Sequence, residues 1–535
     1  VGLDISVSGG DTNYALITSG GNVGIGTASP SALTHIAMDG GSVPAIASNT
    51  GLVLSNSSST GDGAEINIIT GNAGQGRLKF GDTDSNADAQ IIYDHNDRTL
   101  RIEAAGAERM RIDANSRISL SNNDSGTDNT VFGKNAGLAG LSGGTNNVLI
   151  GEDAGGDMTS ADHNTAVGYQ SMDLITTLAD GNTAVGYQSL HGNITTQNID
   201  NCVAIGKQTL CGALTSTAAG AVAIGASALT ALTSGAGNTA IGFQSADALT
   251  TGDYNTAVGY RSLGAEDTGD GSVAIGFDAL GSQASDADEV AANVGIGKDT
   301  GYHNVLGQNN TYIGYKAGQG ATGESNSGNT GVGKDALFAI TDGTNNVAVG
   351  IDAGTAITTG DQNVFVGAGA GYATQDVDKA VIIGVDAGLA VMDNGADGTV
   401  AMGYQALNAL TSGAGNTAVG YQAGLAITDG TYNTILGYQA LITDDQSDRS
   451  TAIGFKSLMN QNGGTGNSGN TAVGYATGFE NVTGTDNTWV GYQAGIGGTG
   501  NNSNNTGVGS NALASITTGA SNVIIGANAG DTLTT

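Results

Sequence analysis

Proline is almost absent from this chain: 2 residues in 535, Pro30 and Pro44. The 91 glycines show no G-X-Y period, so a collagen-type helix is excluded. Cysteine is as scarce, with Cys202 and Cys211 alone, which excludes a disulfide framework and a cysteine-built zinc site. A single bridge between the two remains possible and is not required. Bases are few: 16 Lys and Arg stand against 49 Asp and Glu, and residues 126–535 hold 9 against 35. That is too little positive charge to neutralise nucleic-acid phosphates or to hold an anionic bilayer. No apolar run reaches the ~18 residues of a spanning helix, so no membrane insertion is expected. Aromatics make up only 5%, with one tryptophan, Trp489. Disorder is nevertheless a poor description, because Val, Ile and Leu recur at fixed places.

What the chain does have is repetition. NTAVGYQSL at Asn182 has close copies at Asn164, Asn255 and Asn416. Aligned on the glycine of this motif, 23 copies run from Gly133 to Gly526, most often 17 residues apart, with insertions of one to four. Such a short fixed period marks a solenoid. Counting from the anchor glycine, position −1 is apolar and −3 is Thr or Val in all 23 copies. Position −4 is Asn in 17, position −2 is most often Ala, and +3 is always Ala, Ser or Thr.

These columns predict one short strand per repeat, since residues two apart share a strand face and β-branched types suit a sheet. The expected fold is all-β: a parallel β-solenoid of about 23 coils of 17–21 residues over 126–535, preceded by a β-rich region over 1–125. Apolar −1 residues such as Val185, Val258, Ile275 and Val419 are expected to point inward, with −2 on the opposite face. Asn164, Asn182, Asn255 and Asn416 are expected to stack as an amide ladder at the turn into each strand, where asparagine tolerates left-handed backbone. Seventeen equivalent asparagines exclude a catalytic role for them.

The form N-[TS]-[AV]-[VI]-G followed by a small residue and a Gly/Asn turn resembles the head repeats of trimeric autotransporter adhesins. SVAIGFDAL (272–280) and NVAVGIDAG (346–354) carry that likeness best. The longer NTAVGYQAG and NTAVGYQSL forms, GNVGIGTASPSALTHI (21–36) and the stretch from Arg77 to Leu120 are similar to bacteriophage tail-fibre elements. The resemblance implies a left-handed β-roll, a homotrimer of chains packed side by side, and an intertwined trimeric stalk over 1–125. It implies a non-enzymatic fibre, extracellular or on a virion, that reaches and attaches to a host-cell surface glycan or protein receptor. The alternative is a bacterial surface adhesin or extracellular filament on the same roll.

Few residues point to chemistry. Asp82, Asp84, Asn86 and Asp88 open like a calcium loop, but Ala87 and Tyr93 stand where glycine and an acid are needed. The five histidines lack metal-ligand spacing. A polysaccharide-cleaving enzyme would need a unique carboxylate pair, and none stands out. An ice-binding array is disfavoured because Thr alternates with Val in one column. No cofactor or metal is expected. Aromatics after the anchor glycine, such as Tyr421, read as a packing ladder rather than a sugar platform, and Trp489 reads as a wedge or an exposed contact. Recognition is expected on insertions that break the period, with His191, Asn198, Asp286, Asp288, Asn460 and Asn462 as candidate contacts.

Overall fold

A computed structural model describes residues 17–19, 22–25, 34–37, 52–55, 68, 73–80, 89–112, 118–119 and 128–535, the last without 176–178, 193–197, 286–289, 324, 465 and 498. The chain divides into two compact units, Val1–Leu120 and Ser121–Thr535.

The first unit holds two sheets. Four short strands, Ile17–Ser19, Asn22–Ile25, Thr34–Ala37 and Leu52–Ser55, pair in sequence order, the first pair antiparallel and the others parallel. Gln75–Phe80, Ala89–Asp94, Thr99–Ala104, Ala107–Ile112 and Ile118–Ser119 form an antiparallel meander. Alternation along this meander buries Ile92 but leaves Leu78, Ile91, Tyr93 and Leu100 exposed on one face. Arg101 ties the second strand to the third through Asp94 at 2.9 Å.

The second unit is a parallel β-solenoid. Its 23 three-residue strands, from Thr130–Phe132 to Val523–Ile525, stack in one parallel sheet in sequence order. Register never slips: Thr165, Ala166 and Val167 face Thr183, Ala184 and Val185, and so on along the sheet. At the usual strand spacing of ~4.8 Å, 22 steps give a stack of roughly 105 Å.

The anchor glycine is the most constrained position in the coil. Gly259 has φ +137, and a Cβ there would run into the Gly276 carbonyl oxygen of the next coil. Both the backbone angle and the close stacking of coils therefore demand glycine.

The strand faces are the reverse of the expectation. Ala166, Ala184, Ala204, Ala223 and Ala257 at −2 are buried, at 0–1% exposure, while the flanking −3 and −1 residues are only partly covered. Val185, Val258 and Val419 are half-buried on the outer side, and Ile275 is 37% exposed. The physical reason is width. Where a leucine reaches across from the facing wall, the space left behind the strand holds only a methyl group, so the larger β-branched residues go outside. The interior is filled instead from the far wall, by Leu190, Leu229 and Leu263 at +4 and by Ile175, Leu232 and Leu249 at +7.

Core size is conserved by exchange across the coil. Eight repeats carry a large −2 residue, and in seven of them +4 is glycine. Tyr312, Phe365 and Trp489 are fully buried this way. A Cβ on Gly495 would lie 2.5 Å from the Trp489 ring, and one on Gly354, in the preceding coil, 2.8 Å from Phe365. In the eighth, Ile435, the room comes from Gly424 of the preceding coil. Trp489 is thus a core residue at 0% exposure, not a wedge or an exposed contact.

Candidate contact surface

Asparagine at −4 builds a buried ladder on one corner of the solenoid. The Asn238 Oδ1 accepts the backbone N–H of Asn255 at 2.8 Å, and the Asn255 Nδ2 donates to the Gly269 carbonyl at 2.7 Å. Asn164, Asn182 and Asn416 repeat the arrangement. Each side-chain amide thus ties its strand entry to the turn that leads into the next coil and to that coil's first backbone N–H, while its own backbone N–H is held by the asparagine before it, so turn groups that burial would otherwise leave unpaired are satisfied. The left-handed residue is one position earlier than expected: His163, Tyr254 and Tyr432, at −5, have φ 61, 56 and 57.

Two breaks in this ladder share one repair, which sequence reasoning missed. Where −4 is Ser272, the Gln283 Nε2 donates to the Ser272 Oγ at 2.9 Å and to buried Glu266 at 2.7 Å, while its Oε1 accepts from Asn293 at 3.0 Å. Where −4 is Ser450, Gln461 bonds Ser450 at 2.9 Å, Asp444 at 2.6 Å and Asn470 at 2.9 Å in the same way. The glutamine amide replaces the missing asparagine. The signal was present in the sequence, as a Ser at −4 followed in each case by Gln at +7.

Acidic residues also do more than solvate. Asp162, Asp180 and Asp200 each accept a backbone N–H from the preceding coil at 2.6–2.9 Å, as do Asp361, Asp378 and Asp397. Among the described residues, no group of three His, Cys, Asp or Glu is placed to hold a metal ion. The Asp82–Asp88 stretch lies outside them. Cys202 and Cys211 are free thiols, and burial pushes both above the ordinary thiol range.

The outer face presents two parallel columns, Thr or Val at −3 and aliphatic or aromatic residues at −1, with a mixed +1 column of aromatic, aliphatic and charged residues beside them. The aromatic +1 residues form stacks, with Tyr404, Tyr421, Tyr438, Phe455, Tyr475 and Tyr492 spaced 5.0–5.3 Å between ring centres. Ring faces turn toward one another, so edges rather than faces meet solvent. Beside them Ile241, Ile275, Ile313 and Val349 are 37–38% exposed. A three-residue strip about 10 Å wide along ~105 Å amounts to an outer face on the order of 1,000 Å², of which the −1 column is the apolar part, since 13 of the 23 residues at −3 are threonine.

The insertion residues behave differently from one another. Asn198 is exposed. His191 is half-buried and lies 3.9 Å from Asp173. Asn460 donates to Glu480 at 3.0 Å, and the Asn462 N–H bonds the Val482 carbonyl at 2.7 Å, so both are tied to the following coil. Asp286 and Asp288 fall outside the described residues.

Stacked coils, an internal amide ladder and an apolar outer strip define a parallel β-solenoid repeat protein. No protein-family model and no curated protein matches the chain.

Proposed function

We propose that the protein is a non-enzymatic structural fibre, working as a side-by-side homotrimer whose left-handed rolls bury the outer strip. The observation that carries this reading is the −1 column of aliphatic and aromatic residues, only partly covered and unbroken along the stack, beside a −3 column of Thr and Val. A coil that keeps only methyl groups behind its strand leaves its largest strand side chains in search of a partner, and a second copy offers the same periodicity in register. The exposed apolar face of the N-terminal meander asks for the same cover. The repeat's likeness to tail-fibre and adhesin-head sequences favours a phage tail fibre, extracellular or on a virion, giving reach and attachment to a host surface receptor. A bacterial surface adhesin or filament is the alternative within the same architecture.

Sedimentation tests the assembly. The expected mass is three times 52.5 kDa. Val258→Asp places a charge on the outer strip and should release or weaken the oligomer while the coils stay folded. Ala257→Asp places it inside the coil and should melt the neighbouring coils. A stable, fully folded monomer in dilute buffer would overturn the trimer. Electron micrographs of virions against free filaments separate the two biological settings.

A further inference from the structure

The solenoid carries a second, longer period. From Gly206 the anchor spacings run 19, 17, 17, 17, 21, 17, 19, 17, and from Gly384 they run 19, 17, 17, 17, 20, 17, 18, 17. Ten coils separate the two series. Single-turn 3₁₀ helices fall at Ser216–Ala218 and Asn394–Ala396, with flanking angles that match within about 15°. The Glu266–Gln283–Ser272 and Asp444–Gln461–Ser450 networks occupy equivalent coils. So do buried Tyr312 and Trp489 with their facing glycines, Gly318 and Gly495. The second block, nine coils from Gly384 to Gly526, therefore shows which residues this backbone needs, and what departs from it at equivalent positions of the first block is free of that need.

One departure surrounds a groove of about 390 Å³, beside the strands rather than on them. This lies in the ~300–1,000 Å³ range of small-ligand sites. Tyr315, Phe338 and Tyr372 supply its aromatic surface, and Lys316, Lys334, Asp335, Asp352 and Thr355 its polar groups, with the Lys316 ammonium 5.5 Å from the Tyr315 ring centre and 5.6 Å from that of Phe338, so a bound ring must displace this flexible side chain. Lys334 pairs with Asp335 and stands 3.8 Å from Asp352. At the equivalent positions of the second block, Lys334, Asp335, Phe338 and Asp352 are replaced by Ser510, Asn511, Ala514 and Asn528. The aromatic stack is also interrupted here, because +1 is Lys334, Ile351, Ala368 and Val385 in the four coils after Tyr315. No neighbouring ring from that column covers the side of Tyr315 facing these coils.

We propose that this groove binds a neutral hexopyranose residue of a surface glycan. One face of a pyranose is a set of C–H groups, which pack on the electron-rich face of an aromatic ring. Vicinal hydroxyls both donate and accept, and a Lys flanked by two Asp offers both complements within one hydroxyl spacing. The rod's excess of acids disfavours anionic sugars. This assignment rests on the reading of the protein as a surface-contacting fibre and names what that surface would contact.

The test uses the intact protein and saturation-transfer NMR with methyl glycosides of glucose, galactose, mannose and N-acetylglucosamine, with N-acetylneuraminic acid alongside. At least one neutral glycoside should bind at millimolar concentration. The combined variant Lys334→Ser, Asp335→Asn, Phe338→Ala, Asp352→Asn installs the second block's own residues, so it should fold and sediment as wild type and lose binding at least tenfold. Phe338→Ala alone should weaken it severalfold. Binding by none of the neutral glycosides, binding unchanged in the combined variant, or preference for the anionic sugar would each overturn the proposal. Sedimentation of the same samples reports on the fibre independently, so an assembled trimer without sugar binding sinks the groove and leaves the fibre standing.

Discussion

Exchange of size across the coil can be tested at the chain's only tryptophan. Trp489 is fully enclosed, and Gly478 and Gly495 make room for its ring. Trp489→Ala removes a large buried side chain with nothing to fill the space, a loss of about 3–5 kcal/mol. Adding Gly495→Leu should restore part of it, because alanine at −2 with leucine at +4 is the solution other coils use. Leucine can adopt the backbone there: Gly495 has φ 59, while Leu407 and Leu513 at the same place in their coils have φ 49 and 53. Burying the leucine contributes about 1.5–3 kcal/mol, and the left-handed angle costs about 1–2. A net recovery of about 1 kcal/mol is expected, with the remaining gap beside Gly478. Gly495→Leu alone should destabilise, since the ring already occupies the space. Urea unfolding followed by far-ultraviolet circular dichroism measures all three variants, fluorescence being lost with the tryptophan. A double variant no more stable than Trp489→Ala would refute the exchange.

Three further outcomes follow from the same packing. Asn255→Ala leaves the Ser272 N–H and the Gly269 carbonyl without their partner, and at about 1–3 kcal/mol each it should cost roughly 2–6 kcal/mol in total; hydrogen exchange should speed up at Ser272 and not in coils ten or more repeats away. Gly259→Ala forces a Cβ against the next coil at φ +137 and should cost at least about 3 kcal/mol by thermal unfolding, against about 1–2 kcal/mol for alanine at exposed Gly220, where a φ of +78 is the sole burden. Burial pushes the Asp444 carboxyl above its ordinary 3.8, so the fold favours its protonated form. Its stabilising contribution is complete below 3.8 and is lost as pH rises through the raised value, so Asp444→Asn should flatten that part of the stability–pH curve. Identical curves for the two proteins would show that Asp444 is not coupled to folding.

Much of the repeat was legible because it is periodic. The position of every strand in the solenoid, the anchor glycine and the asparagine ladder could be read from columns, since a residue type that returns 17 or more times reports one environment. Irregular features were harder to read. The Glu266 and Asp444 networks occur once per ten coils, and their glutamines look like ordinary loop residues until the gap left by Ser272 or Ser450 is seen in space. Likewise Asn460 and Asn462 sit in an insertion, yet their bonds to the next coil emerge only when that coil is stacked on them.

The sequence by itself determined the parallel stacking, the coil length and the register, because each follows from repetition and from glycine and asparagine chemistry that is local. Which strand face points inward was decided by tertiary structure alone. Thr or Val at −3 and an aliphatic residue at −1 look like a core, and Ala at −2 looks like a surface, when hydrophobic size is the sole guide. Closing a coil of about 17 residues brings its opposite wall within reach of the strand, and leucines from that wall fill the space, so only alanine fits behind most strands. The larger apolar residues are turned out by lack of room, and that leaves the strip on which any assembly of these chains would be built.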